Sequence, residues 1–345
     1  MRAVRMHRYG GPEVLVVDEV GTPSPGPGEV RVVVSRAGVN FTDTYRRSGF
    51  YRVALPFIPG VEAVGVVDEL GPGVSGVRVG ERVAFPQSPS AYAEAVVARA
   101  RDVVTVPPWM SDDDACSLMM QGLTAHYLAT STVPLAAGDT AVVLAAAGGV
   151  GRLLVQIARI RGARVLAVVS TDAKAAVARE AGADEVLVAP GEHLAERVAH
   201  LTDGRGADAV YDAVGLATYR QSLATVRVRG TLVLYGQASG PVPPFDTLEL
   251  AERSLFLTRP RLSPHIESRD ELERRTVELF QWARSGAVTT RVDRVFTMDQ
   301  AAAAHEYLES GSTTGKVLLS PALSRPGVDA SSWGALCSPD KHLRA

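Results

Sequence analysis

Short segments rich in apolar and β-branched residues, separated by glycine and proline, fill the chain up to about residue 125. Their alternating or continuous apolar pattern is typical of strands, and the turn residues between them predict a compact, largely antiparallel β domain. Helical pieces are predicted around residues 111–131. The strand-like runs are EVRVVVSRAGV (29–39), EAVGVVDELGPGV (62–74), VGERVAF (79–85) and AYAEAVVA (91–98).

From about residue 139 the pattern changes to fully apolar strands with helical stretches between several of them. Helical periodicity covers residues 151–161 and 172–182. Strands that alternate with helices predict βαβ units and a parallel sheet. The strand-like runs are AVVLAA (141–146), RVLAVV (164–169), DEVLV (184–188), DAVYDAV (208–214) and TLVLYG (231–236).

The last third contains a charged amphipathic helix around residues 265–285, then a strand, a helix and a final strand up to Pro321. This segment resembles the first domain more than the second, so we expect the chain to return there. The remaining residues show no periodicity and predict a disordered tail. The predicted division is 1–125 for the β-rich domain, 126–262 for the parallel-sheet domain, 263–321 for the return and 322–345 for the tail.

Composition fits a two-domain globular protein: of 345 residues, 46% are hydrophobic and 21% charged. The net charge of −2 argues against a general nucleic-acid or membrane-surface binder. Two cysteines without a CxxC pair exclude a disulfide scaffold and a four-cysteine zinc lobe. No apolar run reaches the roughly 18 residues that span a bilayer, and no signal-peptide pattern opens the chain. We therefore expect a cytoplasmic protein.

A glycine-rich turn, AAGGVG at Ala146–Gly151, stands between an apolar strand and a helical stretch. This is the context of the dinucleotide fingerprint, in which the helix N-terminus binds a pyrophosphate. Gly148 would let the backbone approach the phosphates, and Gly151 would let the helix pack closely on the strand. Alanine replaces the first glycine with little added bulk. The alternative is a tight turn without a ligand.

The segment after the second strand bears on the choice between NAD and NADP. An acid usually ends that strand and binds the ribose 2′-OH, but here the strand ends in Ser170-Thr171-Asp172-Ala173-Lys174. Two hydroxyls and an ammonium suit a 2′-phosphate, which favours NADPH. Two alternatives stay open: Asp172 itself reaches a ribose, or the segment only caps the next helix.

Longer motifs indicate a family. The chain resembles the zinc-independent quinone oxidoreductase branch of the medium-chain dehydrogenase/reductase superfamily over residues 1–321. The resemblance implies an α/β protein in which a GroES-like β-rich catalytic domain is joined to a Rossmann-like, doubly wound parallel-sheet domain. The matching motifs are NFTDTYRRSGFY (40–51), LPFIPGVEAVGVV (55–67), GLTAHYL (122–128), AAAGGVG (145–151) and TTGKVLLSP (313–321).

The comparison with zinc enzymes of that superfamily predicts a site without metal. They place a cysteine ligand where this chain has Asn40, and Gly-His-Glu where it has Gly60-Val61-Glu62. The sequence also offers no three-ligand Cys/His set for catalytic zinc. Without a Lewis acid, reduction of an already electrophilic acceptor is easier than oxidation of an alcohol, so we expect a reductase.

The resemblance implies that NADPH lies between the domains, with the pyrophosphate on the glycine loop and the 2′-phosphate at Ser170–Lys174. Asp43 as a turn cap, and Tyr45 and Tyr51 as wall packing, are the alternatives to functional roles. Ala189 stands where relatives often carry a tyrosine near the adenosine phosphate, which removes one contact. The candidate catalytic residues are Asn40, Asp43, Tyr45, Tyr51 and Thr124, and the candidate cofactor contacts are Ala147, Gly148, Gly149, Val150, Gly151, Ser170, Thr171, Lys174, Gly236 and Lys316.

The expected activity is hydride transfer from NADPH to a quinone or a similar electron-poor carbonyl acceptor, with Tyr51 or water supplying the proton. An enone or enoyl-thioester reductase on the same fold is the alternative. A non-catalytic, RNA-binding crystallin-like protein is a further one, disfavoured by the net charge. The resemblance also suggests a homodimer formed through the edge of the cofactor-domain sheet.

Overall fold

The computed structural model describes residues 1–189 and 191–321 of the chain. The predicted tail, 322–345, lies outside the described residues. Two large β-sheets organise these ranges, and a short antiparallel ribbon lies at the N-terminus. None of the helices in the described ranges combines the length and apolar character that a bilayer-spanning segment needs.

The first large sheet is mainly antiparallel and is built around one long strand, β3. This strand pairs with β4 and β6, while β1 and β2 form the separate ribbon. Val30, Val32 and Val34 alternate along β3 on its buried side, as the period of two predicts. The strands are β1 (Arg2–Arg5), β2 (Val16–Glu19), β3 (Glu29–Val39), β4 (Ala63–Leu70), β5 (Arg82–Phe85), β6 (Ala95–Arg99) and β7 (Val104–Thr105).

Helical segments connect this sheet to the next one. Helix α1 (Phe41–Arg47) directly follows β3, and α2 (Asp112–Ser117) begins where the Ser111 hydroxyl accepts from the Asp114 N–H at 3.1 Å. Helix α3 (Leu123–Tyr127) is flanked by π-helical turns at Leu118–Gly122 and Leu128–Thr132. Such turns often occur at functional sites, and this segment forms part of the cavity described below.

The second sheet is parallel, with the order β10-β9-β8-β11-β12-β13. This is the doubly wound Rossmann order. The chain adds strands in one direction from β8 and in the opposite direction from β11, and this reversal leaves a crevice between the two strands. It confirms the predicted fold class. The elements are β8 (Thr140–Leu144), α4 (Gly149–Ile160), β9 (Arg164–Val169), α5 (Asp172–Glu180), β10 (Glu185–Val188), α6 (Leu194–Leu201), β11 (Ala207–Asp212), α7 (Tyr219–Thr225), β12 (Val226–Leu234) and β13 (Phe256–Thr258).

The end of the described chain rejoins the first sheet. Strand β15 pairs antiparallel with β3 and parallel with β14, so the last strand of the described chain belongs to the sheet of the β-rich domain. The domain limits given above stay predictions. The elements are α8 (Arg269–Ser285), β14 (Val292–Thr297), α9 (Ala301–Glu309) and β15 (Lys316–Ser320), and short 3-10 turns lie at Pro12–Val14, Ala100–Asp102, Gly191–His193, Thr247–Leu250, Ser263–His265 and Met298–Gln300.

The turn between β8 and α4 uses its small residues in different ways. Its left-handed residue is Ala145, with φ 51°, so Ala146 in the first fingerprint position needs no glycine-like freedom. A Cβ on Gly151 would overlap the backbone oxygen of Ala145 and lie 2.9 Å from the Ala146 Cα. A Cβ on Gly148 would meet only that oxygen within 4 Å, at 3.2 Å. Gly151 is therefore needed for helix–strand packing, whereas a Cβ on Gly148 would make one close contact that a small shift could relieve.

We predict that Gly151→Ala destabilises the cofactor-free protein and that Gly148→Ala changes its stability much less. Overpacking costs about 1–3 kcal/mol, whereas alanine's helix propensity returns at most about 1 kcal/mol. Thermal and urea unfolding of the two variants and wild type measure the difference. A Gly151→Ala protein as stable as wild type would contradict the packing argument.

Candidate functional site

A cavity of about 1580 Å³ lies between the two domains, at the carboxyl ends of the parallel strands. Its walls come from α1 and the loop after it, the segment around α3, the β8–α4 turn, and the ends of β9, β12 and β13. Pockets for one small molecule usually measure about 300–1,000 Å³. The cavity therefore has room for a dinucleotide and a second molecule.

Most of the predicted site residues meet at this cavity, whereas Asp43, Thr171 and Lys316 do not line it. Their predicted roles as direct contacts stay predictions, and the contacts that the structure gives them are described below. The predicted residues that line the cavity are Asn40, Tyr45, Tyr51, Thr124, Ala147, Gly148, Gly149, Val150, Gly151, Ser170, Lys174 and Gly236.

The glycine loop and the N-terminus of α4 form one part of the wall. Helix α4 has 12 residues and begins at Gly149, so its first-turn N–H groups and positive dipole end face the cavity edge. The Gln121 side-chain amide occupies the space that a Cβ on Gly149 would need. Gln121 is a lining residue that the sequence reading missed, because it stands just before the motif GLTAHYL.

The end of β9 forms a small polar corner. The Lys174 ammonium donates to the Ser170 hydroxyl at 3.2 Å and to the backbone oxygen of Gly311. Burial lowers the pKa of Lys174, and the nearby Asp293 carboxylate opposes that shift. Thr171 is the N-cap of α5, accepting from the Lys174 N–H at 3.3 Å. The capping alternative thus describes Thr171, while Ser170 and Lys174 face the cavity.

A buried ion pair lies behind the part of the cavity wall that contains Asn40, which we call the cavity floor. Lys316 and Glu62 are paired, with side chains 1% and 0% exposed. Asn40 joins them: its Nδ2 donates to Glu62 Oε1 at 2.7 Å, and its Oδ1 accepts from Lys316 Nζ at 3.0 Å. The second oxygen of Glu62 accepts from the Met120 N–H at 2.6 Å. Lys316 thus fixes the Asn40 amide instead of lining the cavity.

Asp43 lies behind the floor in a fully buried position. Its Oδ2 accepts from the Asn40 N–H at 3.0 Å and from the Tyr92 hydroxyl at 3.2 Å. Burial raises the pKa of this carboxyl to about 6, and the charge of Arg46 acts in the opposite direction. Asp43 therefore accepts from the N-cap backbone as the third residue of α1, in a capping box. This is the capping role given above as the alternative to a functional one.

Aromatic side chains form the opposite end of the cavity. The Tyr45 and Tyr51 rings meet edge to face with centroids 5.5 Å apart, and Phe50 lies 5.2 Å from Tyr51. Burial raises the pKa of Tyr45 to about 12, although the Gln237 backbone and the Arg259 guanidinium lower it. Tyr51 lines the cavity and remains 41% exposed. Arg259 is a second wall residue that sequence reading missed.

The donor set of the site does not fit a catalytic metal. The described residues contain no group of three or more His, Cys, Asp or Glu side chains that could hold an ion. Glu62 already binds an ammonium, an amide and a backbone N–H, so its oxygens are engaged. His126, the lone histidine of the α3 segment, is buried and lies 2.8 Å from Glu278.

Known proteins match almost the entire described chain. Residues 26–132 match the alcohol dehydrogenase GroES-like domain family, and residues 149–281 match the family described as zinc-binding dehydrogenase. A 2-haloacrylate reductase from a Burkholderia species is 39% identical over 328 residues, which cover 92% of this chain and 98% of the relative.

Solved structures agree with these matches. A mycobacterial protein complexed with NADPH superposes with a TM-score of 0.91 at 43% identity, covering 93% of this chain and all of that one. The Escherichia coli quinone oxidoreductase complexed with NADPH has a TM-score of 0.91 at 36% identity, with the same coverage. Fold, sequence motifs and relatives agree, and the chain belongs to the quinone oxidoreductase branch of the medium-chain dehydrogenase/reductase superfamily.

Proposed function

We propose that this protein is an NADPH-dependent oxidoreductase that reduces a quinone or a similar electron-poor carbonyl acceptor without a metal ion. The observation that carries the proposal is a single cavity with a glycine cradle and the Ser170–Lys174 corner at one end and the Tyr45–Tyr51 pair at the other. The Escherichia coli quinone oxidoreductase complexed with NADPH, at 36% identity, supports it.

The cradle fits a dinucleotide phosphate on geometric grounds. Gly148 lines the cavity, one protein atom lies within 4 Å of where its Cβ would be, and the α4 N-terminus supplies free N–H groups next to it. We assign the pyrophosphate to Ala147–Gly151 and the 2′-phosphate to Ser170, Lys174 and the backbone near Thr171. Gly236, at the end of β12, would contact the nicotinamide half.

When bound, NADPH supplies the hydride, and the protein supplies position, a dry environment and a proton. Asn40, held by Lys316 and Glu62, and Thr124 would shape the floor near the reacting atoms. The Tyr51 hydroxyl or a water molecule would give the proton that the reduced acceptor oxygen takes up. Tyr45 would hold the acceptor ring by aromatic contact.

The buried ion pair supports a metal-free reaction. Lys316 supplies the positive charge that balances Glu62 and occupies one of its oxygens, so Glu62 has no uncompensated charge to offer a metal ion. Asn40, an amide, replaces the thiolate ligand. The assignment thus rests on the chemistry of these three side chains.

Reduction of a conjugated double bond, in an enone or enoyl thioester, is the second candidate. The 39% identical 2-haloacrylate reductase favours it, because that substrate class is an activated alkene. Hydride delivery to either acceptor would use the same cavity.

We also propose a cytoplasmic homodimer without nucleic-acid or membrane partners. The edge strand β13 carries Phe256, which is 62% exposed, and Leu248 nearby is 72% exposed; such side chains suit a subunit contact. Cys116 is a free buried thiol, in keeping with a reducing compartment.

Lys174→Gln should weaken NADPH binding by about tenfold to a hundredfold, because a charge-assisted contact to the 2′-phosphate is lost. NADH lacks that phosphate, so its affinity should be nearly unchanged and serves as the internal control. Fluorescence titration of both cofactors measures this. Equal affinities of wild type for NADPH and NADH would contradict the assignment.

Wild-type protein should oxidise NADPH with benzoquinones and naphthoquinones faster than with 2-enoyl thioesters. The aromatic walls favour an acceptor that is already electrophilic, and the described lining residues include no His or Asp that could serve as a general acid. Steady-state kcat/KM values over this panel make the comparison. Rapid enoyl turnover beside negligible quinone reduction would replace the first candidate by the second.

Lys316→Met should lower the free energy of unfolding by about 3–5 kcal/mol, because it leaves the Glu62 charge buried and unpaired. In the double variant Glu62→Gln/Lys316→Met no net charge is buried, so its loss should be clearly smaller than the sum of the two single losses. Urea unfolding of the four proteins gives the coupling. Additive losses would show that the two charges do not act as a pair.

A further inference from the structure

Charges along the cavity wall are strongly unbalanced. Among the described lining residues the one acid is Glu309, and it is engaged by Arg47 at 2.8 and 2.9 Å. Within the described chain none of the lining cations has a carboxylate at ion-pair distance. These cations are Arg46, Arg52, Lys174, Arg259 and Arg261.

The topology of the parallel sheet separates three of these cations into two groups. Lys174 follows β9, whereas Arg259 and Arg261 follow β13, four strands away in the order β9-β8-β11-β12-β13. With strands about 4.8 Å apart, the ends of β9 and β13 lie about 19 Å apart, and those of β8 and β13 about 14 Å. Both proposed phosphate sites belong to β8 and β9. The Arg259 guanidinium, however, is bound at the end of β12, two strands from β8 and three from β9, which puts it about 10 and 14 Å from their ends and beyond the two proposed phosphate sites.

Arg259 is held in place by uncharged acceptors. Its Nη1 donates to the backbone oxygens of Leu234 and Gly236 at 3.2 Å each, and its Nη2 donates to the Gln237 amide oxygen at 2.7 Å. A guanidinium has five N–H donors, so further donors remain for a ligand. The group is pre-positioned, and no carboxylate of the described chain pairs with it.

This guanidinium also faces the aromatic end of the cavity. Its charge lowers the pKa of the Tyr45 hydroxyl and that of the Tyr127 hydroxyl, against the effect of burial. Tyr45 touches Tyr51, which Arg52 follows directly in the chain. Arg52 and Arg259 thus both line the cavity that these aromatic walls bound.

We propose that the physiological acceptor carries an anionic group, a carboxylate or a sulfonate-like acid, and that Arg259 binds it. The carboxylate would accept the free N–H groups of Arg259, with Arg52 and Arg261 adding charge from the rim, while the electron-poor part of the molecule lies between the tyrosines. Fork-shaped pairing of a guanidinium with a carboxylate gives both affinity and orientation. The inference rests on the proposed function and names its substrate class.

The test compares matched acceptors, 1,4-naphthoquinone-2-sulfonate and 1,4-naphthoquinone, at saturating NADPH. Each ratio is kcat/KM for the sulfonate divided by kcat/KM for the unsubstituted quinone. The measured quantity is the wild-type ratio divided by the Arg259→Gln ratio. The intrinsic reactivity of the two acceptors cancels in this quotient. We expect the quotient to be about tenfold or more. Arg261→Gln, which breaks no hydrogen bond of the described structure, should give a smaller shift in the same direction.

Arg197→Gln is the matched control, since Arg197 is an exposed arginine on α6 outside the cavity wall; its quotient should be one. A quotient of one for both Arg259→Gln and Arg261→Gln would overturn the inference while leaving quinone reduction intact.

If no acceptor is reduced, the proposed function itself is refuted. A binding experiment tests the role of Arg259 in that case as well. Calorimetry on the protein saturated with NADP⁺, which covers the Lys174 site, compares naphthalene-2-sulfonate with naphthalene-2-sulfonamide. Tighter binding of the sulfonate that is lost in Arg259→Gln supports the inference. Equal binding of the two compounds contradicts it.

Discussion

The ion pair between Lys316 and Glu62 is the interaction on which the site depends. Both side chains are withdrawn from water, and two charges are tolerated there only when each finds partners of good geometry. Asn40 and the Met120 N–H supply those partners. The pair consequently joins the last strand, the start of β4, the N-terminus of α1 and the π-helical segment that leads to the second domain. The Lys316–Glu62 pair thereby positions the cavity floor.

The strand order of the parallel sheet sets the second constraint. Because the cavity runs along the carboxyl ends of the strands, each chemical group has a fixed distance from the next. The polar corner after β9, the glycine loop after β8 and Gly236 after β12 follow in that order, with the Arg259 guanidinium beside Gly236. A dinucleotide is an extended molecule, so an arrangement of this kind can hold one group at each strand end and leave the far end for a second molecule.

Local sequence patterns predicted the fold well, because hydrophobic period and turn chemistry are local properties. They also predicted the turn at Ala146–Gly151, although the left-handed residue proved to be Ala145, one position earlier than the fingerprint suggests. The pairing of Lys316 with Glu62 joins residues 254 positions apart and leaves no local trace. An acid inside the apolar run GVEAVGVV was the available signal, since such an acid requires a buried cation. Arg259 carried no signal, as arginine is common throughout this chain.

We expect the cavity to reduce its acceptor without a metal ion, behind a floor in which Lys316 and Glu62 neutralise each other. The most direct test is turnover of NADPH and a naphthoquinone by protein dialysed against a strong chelator, with its metal content determined by mass spectrometry on the same sample. Metal-free reduction predicts an unchanged rate at a metal content far below one ion per chain. A rate that falls with the metal content and returns on addition of Zn²⁺ would contradict it.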